Sequence, residues 1–287
     1  MKNDMRTIAL GAATVTIINV GDVYLTLSQI MNVPESEWRP RYADIVDQPA
    51  FFPSKCIHIK LPEASVLVDA NNFALSTPPD SPYAPPAGYQ PPPDLPTQLL
   101  ACGIRTEDIT HLVITHAHFD HYAGITSKRD GQYVPTFPRA RCLLGKADWE
   151  YPETQVALRD PNSADSHTFG VLQQADLLEL VEGNRDLTTS VKIIAAPGES
   201  PGHQIVRISS EGQMLYCLGD LYHHPIEVEH PTWMSEWDDT TTNLASRAAL
   251  VEAALAENAL LIATHIPGVG RLEFTATGAR WVNVESA

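Results

Sequence analysis

Residues 111–124 read His-Leu-Val-Ile-Thr-His-Ala-His-Phe-Asp-His-Tyr-Ala-Gly, and this stretch decides more about the chain than any other. Its apolar run predicts a β-strand that ends near residue 115. Four residues able to bind a metal ion then follow within six positions, namely His116, His118, Asp120 and His121. Imidazole and carboxylate groups are ligands that suit zinc and similar divalent ions. The stretch therefore predicts a metal site at a strand end, whereas isolated core or surface histidines would not cluster in this way.

Three apolar runs further along the chain each lead to another metal-capable residue, and each run is followed by Gly or Pro. The runs and their residues are 191–196 with His203, 214–218 with Asp220, and 260–263 with His265. Ligands that stand at strand ends are held to the narrow tolerance that a metal site needs. We therefore expect these side chains to meet the first cluster at one sheet edge.

With these motifs the chain resembles the metallo-β-lactamase superfamily of hydrolases along nearly its whole length. The motifs are His-x-His-x-Asp-His at 116–121, Gly-His at 202–203, Gly-Asp at 219–220 and Thr-His at 264–265. The resemblance implies an α/β fold, the four-layer αββα sandwich, with a two-metal site at one edge of its two sheets. It assigns His116, His118 and His203 to a first ion, Asp120, His121 and His265 to a second ion, and Asp220 to a bridge between them.

The implied cofactors are two divalent metal ions per chain, with zinc expected and manganese, iron or cobalt as alternatives. A hydroxide that bridges two such ions forms near neutral pH and can attack a carbonyl or phosphoryl centre. Asp120 would keep one oxygen free to pass a proton to the leaving group. We therefore expect a dinuclear metal-dependent hydrolase. A metal-binding protein without catalysis would normally have broken ligands, and all seven are present.

Ligand identity distinguishes the branches of the superfamily. The flavin-dependent di-iron branch has Glu where this chain has His118, and true β-lactamases lack the bridging Asp220. Glyoxalase-type thiolesterases bind glutathione through basic residues near the C-terminus, where this chain has only Arg271 and Arg280. What remains is the branch of quorum-quenching acyl-homoserine lactonases and of phosphotriesterases similar to methyl parathion hydrolase. We expect opening of lactones or hydrolysis of related esters, with organophosphate or phosphotriester hydrolysis as the alternative and β-lactam hydrolysis as a weaker one.

The residues after Asp220 read Leu-Tyr-His-His-Pro and supply two catalytic candidates. Acyl-homoserine lactonases commonly have Tyr three residues after the bridging Asp, whereas this chain has His223 there and Tyr222 one position earlier. Either side chain would donate a hydrogen bond to the substrate carbonyl. Adjacent side chains of an extended segment face opposite ways, so only one can point inward. His223 is favoured because it stands at the offset of the family's tyrosine.

Composition indicates a single enzyme domain over residues 1–287. The net charge of −16 makes a general nucleic-acid binder unfavourable, because phosphate backbones require clustered Lys and Arg. No run approaches the roughly 18 apolar residues of a membrane span. The segment after the N-terminus alternates Thr with Val and Ile, which is typical of a strand and not of a signal peptide. We expect a cytoplasmic protein with no nucleic-acid or membrane partner.

Two regions depart from regular structure. An N-terminal arm at about 28–55 is rich in Pro and aromatic residues, and a loop at 76–97 contains nine prolines. Proline fixes φ and lacks an amide donor, so the loop should be extended. The arm is expected over the mouth of the site or across a homodimer interface, although its aromatics could equally be core. With residues 226–238 these regions would form a pocket for a small neutral hydrophobic substrate.

Overall fold

The structure, a computed structural model, describes residues 5–284. Its strands follow one another along the chain in two large groups. They are β1 (Arg6–Leu10), β2 (Ala13–Leu25), β3 (Ala50–Lys60), β4 (Ser65–Val68), β5 (His111–Val113), β6 (Thr126–Arg129), β7 (Gln132–Pro135), β8 (Arg141–Gly145), β9 (Leu178–Val181), β10 (Arg185–Asp186), β11 (Val191–Ala195), β12 (Gln204–Ser210), β13 (Gln213–Cys217), β14 (Leu260–Ile262), β15 (Gly270–Thr275) and β16 (Gly278–Asn283).

Most helices are short, and the longest has 18 residues. They are α1 (Glu35–Val46), α2 (Phe73–Ser76), α3 (Leu95–Ala101), α4 (Phe119–Tyr122), α5 (Lys146–Trp149), α6 (Pro152–Ala157), α7 (Ala164–His167), α8 (Phe169–Gln174), α9 (Ile226–Glu229) and α10 (Thr240–Glu257). Side-chain caps mark the start of α3 and of α10. The Asp94 carboxylate accepts from the amide of Thr97 at the start of α3, and Asp239 caps α10 in the same way. None of the helices in residues 5–284 combines the length and apolar character that crossing a membrane requires.

The strands form two seven-stranded sheets and a separate β6–β7 hairpin. The first sheet has the order β1-β2-β3-β4-β5-β8-β9, with antiparallel pairing up to β4 and parallel pairing of β4, β5, β8 and β9. The second sheet has the order β10-β11-β12-β13-β14-β15-β16, in which only β13 and β14 are parallel. Parallel strands are buried on both faces. Both β5 and β14 accordingly lie in the sheet interior, where their ends point to a shared edge.

Apolar contacts divide the molecule into four layers. Side chains of both sheets meet in the middle, with Val113 from β5 and Val206 from β12 in one buried cluster. Helix α3 covers the outer face of the first sheet through Leu99. Helix α10 covers the outer face of the second sheet through Leu250. The predicted αββα sandwich is therefore confirmed.

The two regions predicted as irregular differ from each other. The arm contains helix α1, which bends at Tyr42 two residues after Pro40 and buries Trp38 in a cluster with Leu27, Phe52 and Trp233. The aromatics of the arm thus form a small core of their own. Residues 77–94 have no helix or strand, as their eight prolines would require, and the ninth proline of the predicted loop, Pro96, lies in the first turn of α3. Both regions border the same cavity, which is described below.

Candidate metal centre

Four strand ends bring the predicted ligands together. The loop after β5 carries His116 and His118, and α4 follows it with Asp120 and His121. From the second sheet, His203 precedes β12, Asp220 follows β13 and His265 follows β14. The two sheets therefore contribute to one cluster at their common edge, and its histidines are buried except for His118.

Asp220 lies at the centre of this cluster. Its Oδ2 atom is 3.2 Å from His121 Nε2, 3.2 Å from His265 Nε2 and 4.0 Å from His116 Nε2. The other oxygen, Oδ1, is buried and has no hydrogen-bond partner. Asp120 Oδ2 lies 3.4 Å from His265 Nε2 and 3.7 Å from His121 Nε2. One carboxylate thus faces histidines of both predicted ion positions, while the other faces one position only.

Hydrogen bonds at Nδ1 hold three of the rings in place. His203 Nδ1 donates to the carbonyl of Ala196 at 3.0 Å, and His265 Nδ1 donates to that of Pro53 at 2.9 Å. His121 Nδ1 donates to Asp69 Oδ2 at 2.9 Å. A proton fixed on Nδ1 leaves Nε2 unprotonated in the neutral ring, which is the form that binds a metal. His116 Nε2 points inward, is buried and has no hydrogen-bond partner.

The charges of the cluster require a cation. Burial lowers the pKa of His265, but Asp220 and Asp120 outweigh it and raise that pKa to about 10. Burial raises the pKa of Asp120, yet His121 and His265 outweigh it and hold that pKa at about 2. Burial lowers the pKa of His203 to about 4, although the Asp220 carboxylate and the Ala196 carbonyl oppose this shift. Carboxylates at this depth demand positive charge, which protons or divalent metal ions can supply, and the donor groups of His nitrogen and carboxylate oxygen suit such an ion.

Sequence reasoning missed three buried carboxylates around the centre. Asp69 follows β4 and adopts φ +58°, a left-handed conformation that few residues other than glycine take up. Its oxygens accept from the amide of Thr115 at 2.7 Å, from the Thr115 hydroxyl at 2.9 Å and from His121. The signal was present, because Asp69 ends an apolar run as Asp220 does.

Asp148, in α5, is the second of these carboxylates. It accepts from the amides of Ala117 and Gly202, at 2.9 and 2.6 Å, and from the Ser200 hydroxyl at 2.8 Å. It therefore joins the loop after β5 to the loop before His203. Nothing in the local sequence of α5 indicates this role, because its partners lie 31 to 54 residues away.

The third missed carboxylate, Glu199, lies in the Pro-Gly-Glu-Ser-Pro-Gly segment before His203. Its Oε1 atom is 3.2 Å from His118 Nδ1 and 4.0 Å from His116 Nε2, and it accepts from Trp237 Nε1 at 2.6 Å. Burial raises the pKa of Glu199, and the carboxylates of Asp238 and Asp220 raise it further. A glutamate in a loop gave no sequence signal beyond its position near His203.

Known proteins that are similar to this chain in sequence include named hydrolases. No protein-family model matches the chain. A protein of Mycobacterium tuberculosis named as a probable metallo-hydrolase is 26% identical over 142 residues, which are 44% of this chain and 41% of that protein. An N-acyl homoserine lactonase of a Bacillus species is 25% identical over 126 residues, or 42% of each chain. The chain therefore spans about two fifths of the length of the curated relatives it matches.

Solved structures match over almost the whole chain. AidC, a dizinc quorum-quenching lactonase solved with the product of its reaction, superposes with a TM-score of 0.76 at 22% identity, over 99% of this chain and 98% of that one. AbOPH, a hydrolase of the β-lactamase superfamily, has a TM-score of 0.78 at 17% identity with the same coverage. This chain has the metallo-β-lactamase fold.

In this metallo-β-lactamase fold the two candidates after Asp220 point in different directions. His223 Nε2 faces the cluster, 3.4 Å from Asp220 Oδ2 and 3.8 Å from Glu199 Oε1. Tyr222 is buried on the other side, in the core beneath α10, with the Arg247 guanidinium 4.7 Å from its ring centre. The structure brings His223 to the predicted ligands and does not bring Tyr222 there.

A buried ion pair fixes the backbone of this turn. Glu227 Oε1 accepts from the amides of His223 and His224, at 3.0 and 2.8 Å, and Oε2 accepts from Arg247 at 2.6 Å. Arg247 also donates to the carbonyls of Leu221 and Trp233. Because every polar atom of the pair has a partner, the turn that presents His223 is rigid.

A cavity of about 360 Å³ opens onto the cluster. Its floor contains Asp120, Asp220, His223 and His265, and its walls are mainly apolar. The walls include Val23, Leu25, Phe52, Tyr83 and Trp237. The arm and the proline-rich loop both contribute, as expected, but of the aromatic residues expected from 226–238 only Trp237 lines the cavity. Trp233 is instead buried against Tyr42 in the core of the arm.

Proposed function

We propose that this protein is a dinuclear metal-dependent hydrolase that opens lactones carrying an apolar acyl chain. The observation that carries the proposal is the position of Asp220, whose Oδ2 atom faces His116 of one predicted ion position and His121 and His265 of the other. A carboxylate placed in this way has the chemistry of a bridging ligand. The similarity to lactonases and metallo-hydrolases supports the same reaction class.

In this proposal the first ion is held by His116, His118 and His203 and the second by Asp120, His121 and His265, with Asp220 shared. When bound, the two ions would polarise the substrate carbonyl and lower the pKa of a water molecule between them. Zinc is the metal we propose, because the donors are imidazole nitrogen and carboxylate oxygen, and because the cluster opens to a cavity as a catalytic zinc site does.

The residues of the chain then have separate tasks. His223 Nε2 stands beside Asp220 at the cavity floor and would donate a hydrogen bond to the carbonyl oxygen as its negative charge develops. Asp120 also lines the cavity, and its carboxylate would accept a proton and return it to the leaving alkoxide. The apolar walls from Val23, Leu25 and Phe52 would hold the acyl chain and exclude water.

An aryl phosphotriester would also fit a neutral apolar cavity above two metal ions, so it is the competing substrate class. A substrate panel separates the two: γ-butyrolactone, acyl-homoserine lactones of increasing chain length, paraoxon and a chromogenic β-lactam, all followed at neutral pH on metal-loaded protein. We expect kcat/KM to be highest for lactones and to increase with acyl chain length. Faster turnover of paraoxon than of every lactone would reassign the protein to phosphotriester hydrolysis.

A matched variant connects this activity to the cavity. Phe52→Ala widens the apolar wall without touching a proposed ligand, so it should lower kcat/KM for long acyl chains and leave γ-butyrolactone almost unchanged. An equal loss for both substrates would mean that this cavity does not hold the acyl chain.

A further inference from the structure

We propose that Glu199 is a further metal ligand, which adds a carboxylate to the His116–His118 side of the centre. This inference rests on the metal centre of the proposed function. Glu199 is 3% exposed and lies between three imidazole rings. Its Oε1 atom is 3.2 Å from His118 Nδ1, 4.0 Å from His116 Nε2 and 3.8 Å from His223 Nε2. With His116 and His118 it forms one of the compact donor groups of the described residues.

The spacing of these atoms suits a shared ion. Zinc binds imidazole nitrogen and carboxylate oxygen at about 2.0–2.2 Å, so two ligand atoms of a tetrahedral site are about 3.4 Å apart. The separation between Glu199 Oε1 and His118 Nδ1 is close to that value, and the separation from His116 Nε2 is only slightly larger. An ion bound to both rings would therefore have Glu199 Oε1 within reach.

The protein itself does not neutralise Glu199. Among residues 5–284, no lysine or arginine pairs with it, and its one hydrogen-bond donor is the indole of Trp237. Its second oxygen, Oε2, is buried without a hydrogen-bond partner. Asp220 and Asp238 are close enough to oppose its charge. Burying a carboxylate without a compensating charge is costly, and a cation bound by the folded protein would remove that cost.

Glu227 provides the internal contrast. It is as deeply buried, at 1% exposure, but all of its charge is accounted for by Arg247 and by two backbone amides. Glu227 thus has a structural role that needs no ligand. Glu199 is similarly buried but, among the described residues, has neither a basic side chain nor backbone amides as partners. The two glutamates are 28 residues apart in the same half of the chain and face the same turn from opposite sides.

A role for Glu199 toward the substrate is not supported by its position. It does not line the 360 Å³ cavity that contains Asp120 and His223. It lines a separate cavity together with Asp148 and Ser200, whereas His118 and Trp237 line both cavities. The carboxylate therefore reaches the centre without lining the substrate cavity, as a metal ligand would.

The decisive experiment compares Glu199→Gln with the wild-type protein in chelator competition, measured for each metal equivalent separately. The amide keeps the size and hydrogen bonds of the side chain but loses its charge and most of its strength as a ligand. We expect one of the two equivalents to bind at least about tenfold more weakly. Tenfold is the lower bound because substitution of a residue that only hydrogen-bonds to a metal ligand already lowers metal affinity by about that factor. The other equivalent should change little. Equal affinity of both equivalents in the variant and the wild type would overturn the inference.

Two readouts independent of activity distinguish ligation from simple support of His118. Cobalt-substituted protein should change its visible absorption in Glu199→Gln, because the donor set of one ion changes. The metal-free variant should also unfold at a higher temperature than the metal-free wild type, because an uncompensated buried charge is gone. An unchanged cobalt spectrum together with a lower unfolding temperature would show that Glu199 only supports the loop.

Two further variants keep the test valid if Glu199→Gln does not fold. Glu199→Asp keeps the charge but draws the carboxylate back by one methylene group, so it should weaken the same equivalent; unchanged affinity there contradicts the inference. Trp237→Phe is the matched control, since it removes the indole donor and leaves the carboxylate in place, and it should keep both equivalents. Wild-type protein that binds no metal would defeat the proposed function itself, whereas failure in the variants alone defeats only the role of Glu199.

Discussion

Asp69 and Asp148 support opposite sides of the metal centre and do so through different contacts. Asp69 binds a ligand directly, since His121 donates to it, and it also holds the Thr115 amide and hydroxyl. Asp148 binds two backbone amides and the Ser200 hydroxyl, and so sets the distance between two loops. One carboxylate therefore determines the protonation form of a ligand, and the other determines where the ligands stand. Substitution of Asp69 should therefore mainly change metal affinity, whereas substitution of Asp148 should mainly change the free energy of unfolding.

The largest effect is expected from Asp220→Ala, because Asp220 faces both sides. Its loss removes a shared ligand and leaves two cations without the carboxylate between them. The decrease in kcat should exceed the roughly 10²–10³-fold that the loss of one hydrogen-bond donor costs. Elemental analysis should also show less than two metals per chain. A variant that retains both ions and more than a tenth of the activity would show that Asp220 does not connect the two sides.

His223→Ala should come next, with kcat lower by about 10²–10³-fold at unchanged metal content. His223 contacts Asp220 and stacks on the ring of His265 at 5.8 Å, yet it belongs to neither set of proposed ligands. Tyr222→Phe is the matched control, because Tyr222 packs under Arg247 and away from the cluster. Steady-state kinetics and metal analysis of both variants test this. Greater damage from Tyr222→Phe than from His223→Ala would reverse the assignment.

Asp69→Asn should mainly weaken the second ion. The amide nitrogen of Asn donates where Asp69 accepted, so His121 would carry its proton on Nε2, the atom that faces Asp220. Loss of a partner that orients a metal-binding His typically costs 10–100-fold in affinity, and that is the expected decrease here. Competition with a chromophoric chelator measures it. Unchanged affinity would mean that Asp69 only holds the backbone, as Asp148 does.

Asp148→Asn should have the smallest effect on the ions and a clear effect on folding. It would leave one of three donors around Asp148 without an acceptor, at a cost of about 1–3 kcal/mol in the free energy of unfolding. Urea unfolding of the metal-free protein measures this cost. Metal affinity in the folded variant should stay within about threefold of the wild type. A larger loss of metal affinity in Asp148→Asn than in Asp69→Asn would show that Asp148, and not Asp69, contributes more to metal binding.

The sequence predicted what local patterns encode. Apolar runs that end in His or Asp located β5, β13 and β14 together with the residues that we propose as ligands, because strand formation and the placement of the next residues depend on neighbouring residues. The cap of α3 is local in the same way, because Asp94 accepts from an amide only three residues further along the chain. The fold class followed from the order of these motifs.

What the sequence did not reveal depends on distant contacts. Asp148 meets partners 31, 52 and 54 residues away, and Glu199 meets Trp237 38 residues further along the chain. Helix α1 was missed because Pro40 and the surrounding aromatics suggested an irregular arm, whereas burial of Trp38 against Phe52 and Trp233 outweighs those weak local preferences. Tertiary packing, which no local pattern records, decided each of these cases.

The central claim is that two ions on the two sides of Asp220 act together. It is tested most directly by removing metal with a chelator, adding zinc back in measured equivalents and recording the initial rate of lactone hydrolysis at each step. We expect little activity up to one equivalent of zinc, a steep increase between one and two equivalents, and a plateau at two. Full activity at one equivalent or less would contradict it.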